Sequence, residues 1–385
     1  MSKLLKKVFS VLINARYVKQ QFKRGLIAQG LDILKLYRLN PTCNISDYYV
    51  YKLFAEARGS ALYKELLGFS GHEAFSRSLN ARTAVTPAWD KMVFEVVCKA
   101  YNLQTPELLA VYKPAGLIPG FVPAKICDAK ELKDFLVQYG APVFVKPVKG
   151  SLGQGAFYVA EVAENGELVI DKNGNAISFD AFCKRTIGLT GAKHYNAESG
   201  VLLQKPIVQH PLITEFTQND SPSGFRILVI NTGKGPYIHR VIWKVVVPGN
   251  ISDNFDKGGY GNMLVQVNPT TGKLSGAVSS YWPKAKFYSQ HPISGRDFSS
   301  FTLPLWEQVT AEVLRAAGAI NGMGAMHWDV VITEKGAVFL ELNDIGGTDI
   351  LQLHGKGLMD DDLKIALRQK PSVQKGSTFA RFINK

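Results

Sequence analysis

The stretch HWDVVITEKGAVFLELN, residues 327–343, decides how the chain folds. Residues 328–333 and 337–342 are runs of alternating β-branched and aromatic side chains. Between them stand Glu334, Lys335 and Gly336, a three-residue loop with glycine where a left-handed backbone is needed. The pattern predicts a β-hairpin. With the loop centred on Lys335, Asp329 falls roughly opposite Glu341, and two-residue alternation puts Asn343 on the face of Glu341. Like charges facing across a ladder cost a few tenths to about 1 kcal/mol. Two carboxylates and an amide in one space therefore favour a cation, and hard oxygen ligands suit Mg²⁺ or Mn²⁺. The competing reading is a solvated hairpin face with incidental acids, and a second signal elsewhere in the chain is needed to separate the two.

At 385 residues, 46% hydrophobic and 20% charged, the chain is long enough for two or three lobes with cores and is not of disordered composition. The formal net charge of +13 favours anionic partners in general: nucleotides, phosphorylated or carboxylated substrates, nucleic acid or an acidic membrane. Cys43, Cys98, Cys127 and Cys183 stand far apart without C-x-x-C spacing, so neither a zinc site nor a disulfide framework is indicated and a reducing cytoplasm is the expected location. The apolar run 8–13 behind Lys3, Lys6 and Lys7 is short and ends at Asn14 and Arg16, so no export signal is read. No segment approaches the ~20 apolar residues of a bilayer span.

The first 40 residues hold nine basic side chains, from Lys3 to Arg38, against one acid, Asp32. Leu4, Leu5, Val8, Leu12, Phe22, Leu26, Ile27, Leu34 and Tyr37 recur between them at helical spacing, which predicts basic amphipathic helices. Such helices either lie on anionic lipid, peripheral to the inner face of a membrane, or cap the body with their lysines in water. Nucleic acid is not an expected partner, since no binding module or aromatic RNA-binding motif accompanies the charge.

Residues 87–101 read as a helix with Lys91 in its first turns, 108–112 as a short strand, and 129–139 as a helix capped by Asp128 and stopped at Gly140. Val143, Phe144 and Val145 then form a strand that delivers Lys146 to the loop Gly150, Ser151, Leu152, Gly153, Gln154, Gly155, with a returning strand over 156–162. Glycines let backbone N–H groups approach phosphate oxygens without a Cβ clash, and a lysine on the adjoining strand supplies a fixed charge. The unit is either a phosphate clamp or a plain mobile hairpin turn. It is not a Walker A loop, whose G-x-x-x-x-G-K-[ST] order is absent, nor a dinucleotide fingerprint, because a strand follows.

Beyond a hinge strand at 201–205, residues 225–230, 237–247 and 263–267 read as strands. Arg226, Arg240 and Lys244 alternate with apolar neighbours, which predicts a basic sheet face. The turn-rich loop 253–259 either covers a site or is plain surface, residues 304–317 read as a helix, and the tail after Pro371 is expected to be loosely held. The histidines show no H-x-x-x-H pairing and no G-x-S-x-G elbow is present.

Lys91, VFVKPVKGSLGQG (143–155) and DVVITEKGAVFLELN (329–343), in this order, resemble the ATP-grasp superfamily over roughly residues 87–358. With SDYYVYKLF (46–54), VQHP (208–211), SGFRILVI (223–230) and SDNFDKGG (252–259), the chain resembles the sugar-transfer-associated ATP-grasp group in particular. The resemblance implies an α+β class ATP-grasp fold in which two α+β lobes clamp ATP behind a helical N-terminal region. The expected layout is a basic helical region (1–85), a small α/β unit (86–140), a lid subdomain carrying the glycine-rich loop (141–207), a C-terminal subdomain with the metal site (208–370) and a tail (371–385).

By family position Lys91 and Lys146 hold the phosphates beneath the lid of Gly150, Ser151, Gly153, Gln154 and Gly155. Gln204, Lys205 and Ile207 line the adenine pocket, Arg226 acts with Lys146 on the transferred phosphate or the substrate carboxylate, and Asp329, Glu341 and Asn343 carry Mg²⁺ or Mn²⁺. One departure stands out: the hinge reads Leu203, Gln204, Lys205, Pro206, where many relatives end the strand on a carboxylate that serves the nucleoside. The implied chemistry is ATP-dependent joining of an anionic carboxylate substrate to an amine through an acyl phosphate, and the family's association with surface glycans suggests an acidic sugar or amino acid. Alternatives are a kinase acting on a hydroxyl, and a non-catalytic membrane-associated binding protein.

Overall fold

The computed structural model describes residues 3–55, 59–150, 153–188 and 199–385, without the side chains of residues 3, 4, 6, 7, 59 and 60. Ser151 and Leu152 of the glycine-rich loop, and the side chains of Lys3, Lys6 and Lys7, lie outside the described residues.

Alternating apolar strands build two seven-stranded sheets. The first comprises β1 (Leu108–Tyr112), β2 (Lys125–Ile126), β3 (Val143–Pro147), β4 (Phe157–Val162), β5 (Leu168–Asp171), β6 (Ala176–Ser178) and β7 (Val201–Gln204), in the order β2-β1-β7-β3-β4-β5-β6. Val143, Val145, Val201 and Leu203 point into a core with Leu132 and Leu136 of helix Ala129–Tyr139 and Phe182 of helix Phe179–Thr186. By the two-residue period Phe144, Lys146, Leu202 and Gln204 take the opposite face, with Phe144 paired to Gln204 and Lys146 to Leu202.

The second sheet comprises β8 (Phe225–Ile230), β9 (Tyr237–Val245), β10 (Met263–Val267), β11 (Leu274–Val278), β12 (Phe287–Tyr288), β13 (Ala325–Thr333) and β14 (Gly336–Asn343), in the order β12-β11-β10-β9-β8-β13-β14. It is buried on both faces. Phe225, Ile227, Trp243, Val265 and Trp328 pack against helices Lys91–Ala100 and Trp306–Ala319. Leu228, Ile230, Ile242 and Leu264 pack beneath residues of the N-terminal helices, among them Val18, Leu36 and Tyr48.

The segment 86–140 is shared between the lobes: β1 and β2 extend the first sheet, while Phe94 and Cys98 of helix Lys91–Ala100 join the second sheet's core. The tail is not loose, because residues Thr378–Ile383 form a helix that buries Phe379, Phe382 and Ile383 against the N-terminal helices and the second sheet. Burying a Phe completely contributes about 1.5–3 kcal/mol, ample to dock a short helix whose Ser377 caps it by accepting from the Ala380 N–H. The basic sheet face also divides. Arg226 and Lys244 stand at the cleft end, whereas Arg240 donates to the Gly357 carbonyl oxygen and buried Leu228 and Ile242 occupy the same face.

The hairpin has a two-residue turn, since Gly336, at φ +109°, already pairs with Thr333. A bulge at Leu340 restores the count, so Asp329 faces Glu341. The bulge also reverses the alternation: Ala337, Phe339 and Leu342 all reach the core, which moves Glu341 and Asn343 onto the face of Asp329.

Candidate active site

A cleft of about 1140 Å³ lies between the two sheets. Lys91, Lys146, Gly150, Gly153, Gln154, Gln204, Lys205, Ile207, Arg226, Asp329, Glu341 and Asn343 all line it. Gly155, at φ +75°, is part of the loop without lining the cleft.

Helix Lys91–Ala100 starts where it does because Asp90 accepts from the Met92 and Val93 N–H groups. That start aims Lys91 into the cleft, where its Nζ lies 3.3 Å from the Gly150 carbonyl oxygen and 3.7 Å from Glu341 Oε2. Lys146, the last cleft-facing position of β3, donates from Nζ to the Leu340 carbonyl oxygen at 3.4 Å. Leu340 is the bulged residue, so its carbonyl is free of the ladder. Burial, reinforced by Lys91, pulls the Lys146 ammonium down to about 8.

Below the lysines four charges interlock. Arg226 grips Asp329 with Nε at 2.5 Å from Oδ1 and Nη2 at 2.9 Å from Oδ2. Lys244 reaches Asp253 Oδ2 at 2.8 Å and Asp329 Oδ2 at 3.3 Å. Burial would raise the Asp329 carboxyl, but Arg226 and Lys244 hold it well below the usual carboxylate range. Burial pushes the Asp253 carboxyl up against the pull of Lys244. The glycine of the SGFR motif has a steric reason, because a Cβ on Gly224 would collide with Asp253 Oδ2.

At the hinge, Gln204 Nε2 donates to Glu95 Oε1 at 2.9 Å, and Thr105 Oγ1 donates to Glu95 Oε2 at 2.7 Å. With its amide nitrogen turned to Glu95, Gln204 is left its carbonyl oxygen for the cleft. The hinge strand lacks a carboxylate of its own, and the one against Gln204 comes from helix Lys91–Ala100 instead. Sequence reasoning missed Glu95 and assigned Asp253 and Lys244 no role in a shared site. The signal for Glu95 was its i,i+4 spacing from Lys91, which reads equally well as a solvated helix pair.

Among the described residues no group of three or more His, Cys, Asp or Glu side chains is placed to hold a metal. The Asp329, Glu341 and Asn343 oxygens nevertheless suit a hard cation that keeps water and takes phosphate oxygens as further ligands. Glu341 is partly exposed, and Asn343 Nδ2 donates to its Oε1 at 3.2 Å, which leaves the Asn343 carbonyl oxygen for a cation. Asp329 lies behind them, already held by Arg226 and Lys244.

Comparison with curated proteins yields no match. Among solved structures, the biotin carboxylase domain of the Hydrogenobacter thermophilus 2-oxoglutarate carboxylase is similar at 15% identity and a TM-score of 0.38, over 69% of this chain and 42% of that one. The VanG D-Ala:D-Ser ligase of Enterococcus faecalis follows at 13% and 0.39, over 80% and 62%. D-alanyl-alanine synthetase A of Vibrio cholerae stands at 12% and 0.41, over 80% and 66%. The chain spans less than two thirds of the length of the first two. The sugar-transfer associated ATP-grasp family matches residues 71–365, a span that includes the lysines, the glycine-rich loop, the hinge and the hairpin. The chain belongs to that family.

Proposed function

We propose that the protein is an ATP-dependent carboxylate-amine ligase working through an acyl phosphate. The observation that carries this reading is the meeting of Lys91 and Lys146 with Arg226, Asp329, Glu341 and Asn343 in one cleft between the sheets. A carboxylate is a poor electrophile. Transfer of the γ-phosphoryl group to one of its oxygens, with release of ADP, supplies a leaving group; an amine then attacks the acyl carbon and inorganic phosphate departs. Lys91 and Lys146 hold the triphosphate, the glycine-rich loop covers it, and Arg226 steadies the charge that spreads over the transferred group. Glu341 and Asn343, with Asp329 behind them, would hold a divalent ion, which when bound neutralises phosphate charge. Gln204, Lys205 and Ile207 take the base, with the Gln204 carbonyl oxygen facing an exocyclic amine such as that of adenine.

The acid is an anionic sugar or amino acid of surface-glycan assembly, and the site of action a reducing cytoplasm in which the four free cysteines stay reduced. Incubation with ATP, Mg²⁺, hydroxylamine and candidate acids tests the reading: hydroxamates are expected, since hydroxylamine traps an acyl phosphate. A phosphorylated alcohol without hydroxamate would establish a kinase instead, and absence of ATP turnover with every acid would favour a binding protein.

A further inference from the structure

The two N-terminal helices carry more apolar surface than the body covers. In helix Lys3–Phe22, Val18 is buried and Val11 and Ala15 pack on the same core. Beside that stripe Leu5, Val8, Phe9, Leu12 and Ile13 stay exposed, Phe9 at 60%. In helix Leu26–Leu39, Gln29 and Leu36 face inward, while Ile27, Leu31 and Leu34 form a second stripe at i, i+4 and i+7 that remains in solvent, Ile27 at 83%. Neighbouring apolar side chains exposed in this way mark an interaction surface.

The charges around the stripes say what covers them. Arg16, Lys19, Lys23, Lys35 and Arg38 are exposed on the same two helices and the turn between them. Asp32 is the only acid among the first 40 residues, and it is already engaged by Arg24 at 2.6 Å and by the Tyr48 hydroxyl at 2.8 Å. Apolar side chains rimmed by cations that hold no ion pair among the described residues match the acyl-headgroup boundary of an anionic bilayer, where the first sink below the phosphates and the second pair with them. No helix among the described residues is long and apolar enough to cross a membrane.

We infer that the helix pair Lys3–Phe22 and Leu26–Leu39 is a peripheral docking surface for anionic lipid, lying in the plane of the headgroups. One stripe of the helix pair caps the body, and a second is left over for the bilayer. The surface is separate from the cleft, so its success or failure does not depend on the ligase reading.

Sedimentation of the full chain with phosphatidylcholine vesicles, with and without about one third phosphatidylglycerol, tests it. The chain is expected to sediment with the mixed vesicles, to remain in the supernatant with phosphatidylcholine alone, and to be released progressively by salt. The Leu12→Glu, Leu31→Glu pair and the Lys35→Glu, Arg38→Glu pair should each weaken vesicle binding at least about tenfold. Both pairs are expected to keep the parent circular dichroism and nucleotide affinity, because all four side chains point into solvent. Binding that is indifferent to lipid charge, or unchanged in both variant pairs, would overturn the inference. So would a stable dimer that the Leu12→Glu, Leu31→Glu variant dissociates while the parent ignores vesicles, which would assign the surface to a second copy of the chain.

Discussion

Lys146 is a cation in a setting that works against its charge. Burial and Lys91 pull its ammonium from an ordinary 10.5 to about 8, so the ligand-free site loses a charge just above neutrality. Phosphate would favour the protonated form, and nucleotide affinity is therefore expected to fall by up to tenfold per pH unit above about 8, with proton uptake on binding in calorimetry. The stability sign is opposite. Between about 8 and 10.5 the unfolded chain binds more protons at this lysine than the folded one, so its contribution makes the empty protein more stable as pH rises through that window. Lys146→Ala and Glu341→Ala should each lower turnover at least about 10²–10³-fold, measured as phosphate release. Their stabilities are expected to differ from that of Asp329→Ala. Removing partly exposed Glu341 should cost under about 1 kcal/mol in urea unfolding, whereas removing Asp329 strands buried Arg226, leaves Lys244 with Asp253 alone, and should cost about 3–5 kcal/mol. Equal stabilities would mean that the four-charge cluster does not hold in solution. Lys146 and Glu341 were legible because each sits in a local pattern, a strand running into glycines and a hairpin about a turn. Glu95 was not, since the partner that gives it meaning, Gln204, lies 109 residues away.

At the scale of elements, periodicity located strands and helices well and missed what covers them. Residues 108–112, 129–139, 225–230 and 263–267 form the expected elements with the expected bounds. The hairpin placed Asp329 opposite Glu341 by a compensation that no alternation rule shows: a turn one residue shorter, and one extra residue in the returning strand. A bulge leaves little trace in a sequence because Leu340 suits a strand whether or not it pairs. The tail misled for the reverse reason. Residues 371–385 are polar on average, and a six-residue helix with Phe379, Phe382 and Ile383 on its inner side is too short for its pattern to stand out. Phe382→Ala should cost about 3–5 kcal/mol in urea unfolding, as in a core, where a loose tail would register no change.

Across the whole molecule, chain order and spatial order part company. β7 lies between β1 and β3 in the first sheet, and the stretch before β3 contributes to both lobes, so boundaries read along the sequence do not follow the sheets. Such pairings are fixed by long-range burial, which composition and spacing do not encode locally. The nucleotide seat proposed here touches both sheets. At about a hundred times its Kd, MgATP should add about 2.7 kcal/mol, and calorimetry should show the melting of both sheets raised together; a ligand seated on one lobe would move that lobe's transition alone. Lys146 reaches across the cleft to an oxygen of the hairpin. That oxygen belongs to the main chain of position 340, so no exchange of side chain there can delete it. Losing a residue from the returning strand would close the bulge and withdraw the oxygen into the ladder. This hairpin can therefore tolerate wide variation in spelling and almost none in length.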